Sequence, residues 1–80
     1  MHETRLLDKI FQYLTQEEKL SSRRIKKVYI SLSEFSAISA EHFKQHYRNT
    51  AMGTEWEAVD LELKSIPYGP ELEITRLDFK

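Results

Sequence analysis

The sequence has no cysteine, which removes disulfides, thiolate zinc sites, iron–sulfur clusters and a cysteine nucleophile together. Any metal must be held by nitrogen and oxygen ligands. Glycine and proline occur twice each, too few for a phosphate-cradling glycine loop or for a low-complexity chain. No apolar run approaches the roughly 20 residues that span a bilayer, and the N-terminus lacks the basic-then-apolar layout of a signal peptide. A soluble, cytoplasmic protein without a membrane partner is expected. An excess of either charge is also missing. Lys+Arg 12 against Asp+Glu 13 leave a formal net charge of -1, so no global field holds a polyanion and nucleic acid is not expected as a partner.

What remains is an 80-residue chain that is 40% hydrophobic and 31% charged. That is the composition of one ordered, well-solvated domain with a modest core, and it excludes a multidomain enzyme. From Glu3 onward Leu6, Leu7, Ile10, Phe11 and Leu14 recur at helical spacing, with Arg5, Asp8, Lys9, Gln12 and Gln16 opposite. This amphipathic helix should end near Leu20, before Ser21, Ser22 and the basic cluster Arg23, Arg24, Lys26 and Lys27. Val28, Ile30 and Leu32 then alternate with Lys27, Tyr29, Ser31 and Ser33, the period of a half-buried strand whose entry Ile25 covers.

Ser39, followed by Ala40 and Glu41, reads as the cap of a second helix that runs to about Thr50 with a thin stripe of Ala40, Phe43, Tyr47 and Ala51. After the turn at Gly53, Val59, Leu61 and Leu63 mark a second strand. Residues 65–70, with Pro67, Gly69 and Pro70, are dense in turn chemistry and read as the closure of an antiparallel hairpin. In the last segment Leu72 and Ile74 have one parity and Leu77 and Phe79 the other. A bulge near Arg76, or a strand end that leaves the sheet, would reconcile them. The expected fold is α/β: a small mixed three-stranded sheet with two helices on one face, in the order helix, strand, helix, strand, strand, as a single domain over 1–80. A helical crossover makes the first two strands parallel.

Catalytic signatures are sparse. No Gly-x-Ser-x-Gly elbow is present, the pairs Glu17/Glu18 and Glu71/Glu73 read as solvated faces, and the 23–27 basic cluster reads as a solvated turn. His42 and His46 are four apart on the second helix and so share a face, but a metal site needs three or four ligands and only Glu41 or Gln45 lies near. Without a nucleophile, a small hydrolase using either histidine has little support, and no catalytic residue is assigned. His2 is a sharper feature. Its bulk should keep Met1 in place, so the terminal amine, a deprotonated amide and the imidazole could close fused chelate rings around a divalent ion. Nitrogen-rich square-planar sites suit Ni(II) or Cu(II) better than Zn(II).

Met1-His2-Glu3 opening an amphipathic helix resembles the HypA/HybF family of nickel-insertion accessory proteins for hydrogenase and, in some bacteria, urease. The resemblance continues through 28–36, VYISLSEFS, similar to the family's strand and Gly-Glu-Leu-Ser turn, with Ser33 where glycine is usual. It extends over 40–47, similar to the family's Pro-Glu-x-Leu-x-x-x-Phe helix, over Gly53-Thr54 with Ala58, Leu61 and Leu63, and over 69–74, GPELEI. One block is missing. The family's zinc domain, with two Cys-x-x-Cys pairs, falls between about 67 and 69, where this chain has only a turn; no zinc is expected.

The resemblance implies a metal site at Met1, through its amine, at His2, through imidazole and backbone amide, and at Glu3, through its backbone with its carboxylate as a further donor. It implies a Ni(II) metallochaperone and not an enzyme, working in hydrogenase maturation with a maturation GTPase and a nickel-enzyme precursor as partners. A competing expectation is a metal-independent interaction or regulatory module that keeps the same fold.

Overall fold

The computed structural model describes residues 3–80. Helix α1 (Glu3–Ser21) is followed by β1 (Ile25–Ser33), α2 (Ala40–Ala51), a short 3-10 turn η1 (Glu55–Ala58), β2 (Asp60–Ile66) and β3 (Leu72–Phe79). The order agrees with the expectation, and the mixed sheet runs β2-β1-β3. β1 pairs parallel with β2, from Lys27 opposite Asp60 to Ser33 opposite Ile66, as a helical crossover requires.

β1 pairs antiparallel with β3, and the ladder passes from Ile30–Ile74 to Tyr29–Arg76. Thr75 is the extra residue. This bulge flips the parity of β3, so that Leu72, Ile74, Leu77 and Phe79 all pack against the same core. A second shift at Lys26 lets both Ile25 and Val28 point inward, at 2% and 0% exposure.

The hairpin expected at 65–70 does not form. β2 and β3 lie on opposite sides of β1, so residues 67–71 cross over the end of the central strand instead of joining two neighbours. The crossing is pinned on both sides: the Glu34 N–H donates to the Ile66 carbonyl at 2.8 Å and the Ser33 N–H to the Glu71 carbonyl at 3.2 Å. Gly69 carries the turn at φ +130°, where a Cβ would stand 3.0 Å from Ile66 Cδ1. Turn residues reveal that a chain reverses, not which neighbour it reverses onto.

Leu7, Ile10 and Leu14 of α1 and Phe43, Tyr47 and Ala51 of α2 meet Val28, Ile30 and Leu32 of β1 in one core. The periodicity of each helix therefore predicts its buried face. α2 is capped as its sequence indicates, with Ser39 Oγ accepting the His42 N–H at 3.0 Å. η1 is the element that the pattern conceals. Thr54 caps it, and it drives Trp56 into the core, where the indole stacks on Phe11 at 5.9 Å and Tyr47 donates its hydroxyl to the Trp56 carbonyl at 3.1 Å.

Candidate metal centre

Of the three residues assigned to metal, Met1 and His2 lie outside the described residues. Glu3 is the first residue of α1. The first four N–H groups of a helix have no intrahelical acceptor, so an amide at this point can give up its proton to a metal without breaking the helical ladder. The positive end of the helix dipole also favours an anionic nitrogen there.

His42 and His46 project from α2, His42 exposed and His46 half-buried. Among the described residues no group of three or more His, Cys, Asp or Glu side chains could hold a metal ion. The two histidines share a helix face, as their spacing requires. No helix among the described residues is long and apolar enough to cross a membrane.

Several charged residues outside the N-terminus serve the fold. Glu18, expected on a solvated helix face, is instead a clasp: its carboxylate accepts the Ile25 N–H at 2.8 Å and lies 3.4 Å from Arg24 Nε. The basic cluster is not wholly a turn either, because Lys26 and Lys27 belong to β1 and Lys27 pairs with Glu62 at 2.9 Å. On the sheet face away from the helices, Tyr29 donates its hydroxyl to Asp78 at 2.7 Å and Arg76 Nε donates to the same carboxylate at 2.9 Å. The Lys27 ammonium and the Arg76 guanidinium lie 4.9 and 5.2 Å from the Tyr29 ring centre.

These contacts hold the Asp78 carboxyl below its ordinary range, the Tyr29 hydrogen bond foremost, and raise Lys27 through its bond to Glu62. Sequence reasoning missed this cluster because it depends on the β1–β3 register. The alternation of Lys27, Tyr29 and Ser31 was the signal that placed one half of it.

A family model described as hydrogenase/urease nickel incorporation, metallochaperone, HypA matches residues 1–73. The match runs from the N-terminal tripeptide through α1, both crossing connections and the first residues of β3. No curated protein matches the chain.

Proposed function

Because this chain belongs to the HypA family of hydrogenase/urease nickel-incorporation metallochaperones, we propose that it binds Ni(II) itself, through Met1, His2 and Glu3, and hands the ion to a maturing nickel enzyme. The observation that carries the reading is the family match that begins at residue 1 and so takes in the tripeptide. His2 supplies the imidazole and a backbone amide, Met1 its amine, and Glu3 the amide at the start of α1 together with a carboxylate.

The ion is cargo, and the chemistry is ligand exchange. A chelate at the tip of a helix has an open coordination edge that a receiving protein can attack, which suits delivery better than a closed cage would. Hydrogenase is the proposed recipient class, with a GTPase assisting the transfer in the cytoplasm. The short crossing at 67–71, in a chain without cysteine, supports a single nickel-binding domain that works without a zinc module.

Calorimetry and the d–d absorption band, recorded on protein with a free Met1 amine, test the reading. One Ni(II) per chain with a square-planar band, lost in His2→Ala and kept in the double variant His42→Ala/His46→Ala, is the expected result. Binding that ignores His2 but fails in the double variant would overturn the assignment.

A further inference from the structure

Two of the most exposed side chains in the domain are aromatic and touch each other. Phe35 and Tyr68 are 81% and 80% exposed, and their ring centroids lie 6.4 Å apart at an interplanar angle of 36°. They come from different connections, Phe35 from the one between β1 and α2 and Tyr68 from the crossing between β2 and β3. A lone exposed apolar side chain is ordinary on a protein surface. A ring pair assembled in solvent from segments distant in the sequence is the kind of patch that marks an interaction site.

The backbone beneath the rings holds them in place. The Glu34 N–H donates to the Ile66 carbonyl at 2.8 Å and the Ser33 N–H to the Glu71 carbonyl at 3.2 Å, so the residues before Phe35 are tied to both flanks of Tyr68. Within the first connection the Ser36 N–H donates to the Ser33 carbonyl at 2.9 Å and the Phe35 N–H to Ser33 Oγ at 3.1 Å. In the second, Pro67 and Pro70 stand on either side of Tyr68, and their fixed φ limits its freedom. Little ordering is left for a binding event to impose.

The charge beside the rings has one sign. Glu34 precedes Phe35, Glu71 follows Tyr68, and residues 33–38 and 65–73 contain no Lys, Arg or His. Glu71 reaches back to the first connection, where its carboxylate accepts the Ala37 N–H at 3.4 Å. Aromatic faces attract cations through their quadrupole, and carboxylates next to them add hydrogen-bond acceptors. A guanidinium uses both at once, because it is planar and weakly hydrated and can lie flat on a ring while its N–H fork donates to a carboxylate. An ammonium is a compact, strongly hydrated point charge that gains less from a ring face. The chain makes one such contact internally, where Arg76 lies over the Tyr29 ring and donates to the Asp78 carboxylate.

We propose that Phe35 and Tyr68, with the flanking carboxylates of Glu34 and Glu71, form a docking platform for an arginine side chain of a partner protein. The inference does not depend on nickel.

A chemical-shift titration of the isotopically labelled chain, in chelator, tests it with the capped peptide acetyl-Gly-Arg-Gly-amide beside its lysine and citrulline counterparts. The arginine peptide should shift the amides of residues 33–38 and 66–71 saturably, and it should bind several-fold more tightly than either counterpart. Phe35→Ala and Tyr68→Ala should each weaken it about fivefold, as should the double variant Glu34→Gln/Glu71→Gln. These side chains are exposed, so the remaining amides should keep their positions and report an intact fold. Tyr13→Ala, an exposed aromatic on α1, should bind like the parent. No saturable shift at these two connections, a lysine or citrulline peptide bound as tightly as the arginine one, or ring variants that bind like the parent would overturn the proposal. Equal binding of the citrulline peptide would mark a merely apolar surface.

Discussion

The Glu18 carboxylate accepts the backbone N–H of Ile25 at 2.8 Å, fastening the last turn of α1 to the first residue of the central strand. Ser22 between them adopts a left-handed conformation, φ 57°, so the clasp closes a tight reversal. Glu18→Ala leaves a buried strand N–H without its acceptor and should cost about 1–3 kcal/mol in denaturant unfolding. Glu18→Gln keeps an acceptor oxygen and should lose less. Equal losses would mean that charge, through Arg24, matters more than the hydrogen bond.

Phe43 is fully buried where α2 meets the sheet. Phe43→Ala should cost about 3–5 kcal/mol, a large share of the stability of a domain this small. Loss of the cooperative thermal transition in circular dichroism is the expected readout, and a variant that melts like the parent would contradict this packing.

Burial pushes the Tyr47 hydroxyl up to about 12. The folded state thus favours the protonated phenol, and the stability it contributes is complete below the unfolded value of 10.0 and is lost as pH rises from there through the folded value. The loss should be on the order of 2 kcal/mol. Tyr47→Phe removes this alkaline dependence, at the expense of the bond to the Trp56 carbonyl. Denaturant midpoints measured on both proteins across the alkaline range should converge.

Asp78 has the opposite sign. Hydrogen bonds from Tyr29 and Arg76 lower its folded value below 3.8, so its contribution is present above the unfolded value and disappears as pH falls through the folded one. Tyr29→Phe should flatten the acid limb of the stability profile more than Arg76→Ala, since the tyrosine is the larger cause. The reverse ranking would assign the lowering to the exposed guanidinium.

Nickel affinity should fall steeply below neutral pH, because imidazole and amide must both lose protons to bind. A titration series from pH 8 to pH 5 that shows constant affinity would be incompatible with a nitrogen chelate at His2.

Much of this architecture was legible because each element signals its buried face locally. Leu7, Ile10 and Leu14 name one helix face, Val28, Ile30 and Leu32 one strand face, and the parity change between Ile74 and Leu77 called for a bulge or a strand end that leaves the sheet, of which Thr75 supplies the bulge. What was not legible depends on partners distant in sequence. Pro67, Gly69 and Pro70 fit a hairpin and a crossing equally well, and only the preference of β1 for both neighbours decides between them. Trp56 belongs to no periodic run, so its burial through η1 left no pattern to read. Of the metal site, the candidate ligands come from sequence alone, since a motif of adjacent backbone and side-chain donors needs no tertiary contact to be recognised.

The crossing over the end of β1 also shapes how the chain folds. The central strand is made early but meets Asp60–Ile66 and then Leu72–Phe79 only after α2 and η1 have intervened. Both loop closures are non-local, and their entropy has to be overcome before either ladder rewards it. Until then both edges of β1 are open, and the neighbour within easiest reach is α1, joined to it by the turn that Glu18 clasps. The Glu18 clasp thus joins α1 to β1 over a short stretch of chain, whereas the two flanking strands reach β1 from far along the sequence and on opposite sides.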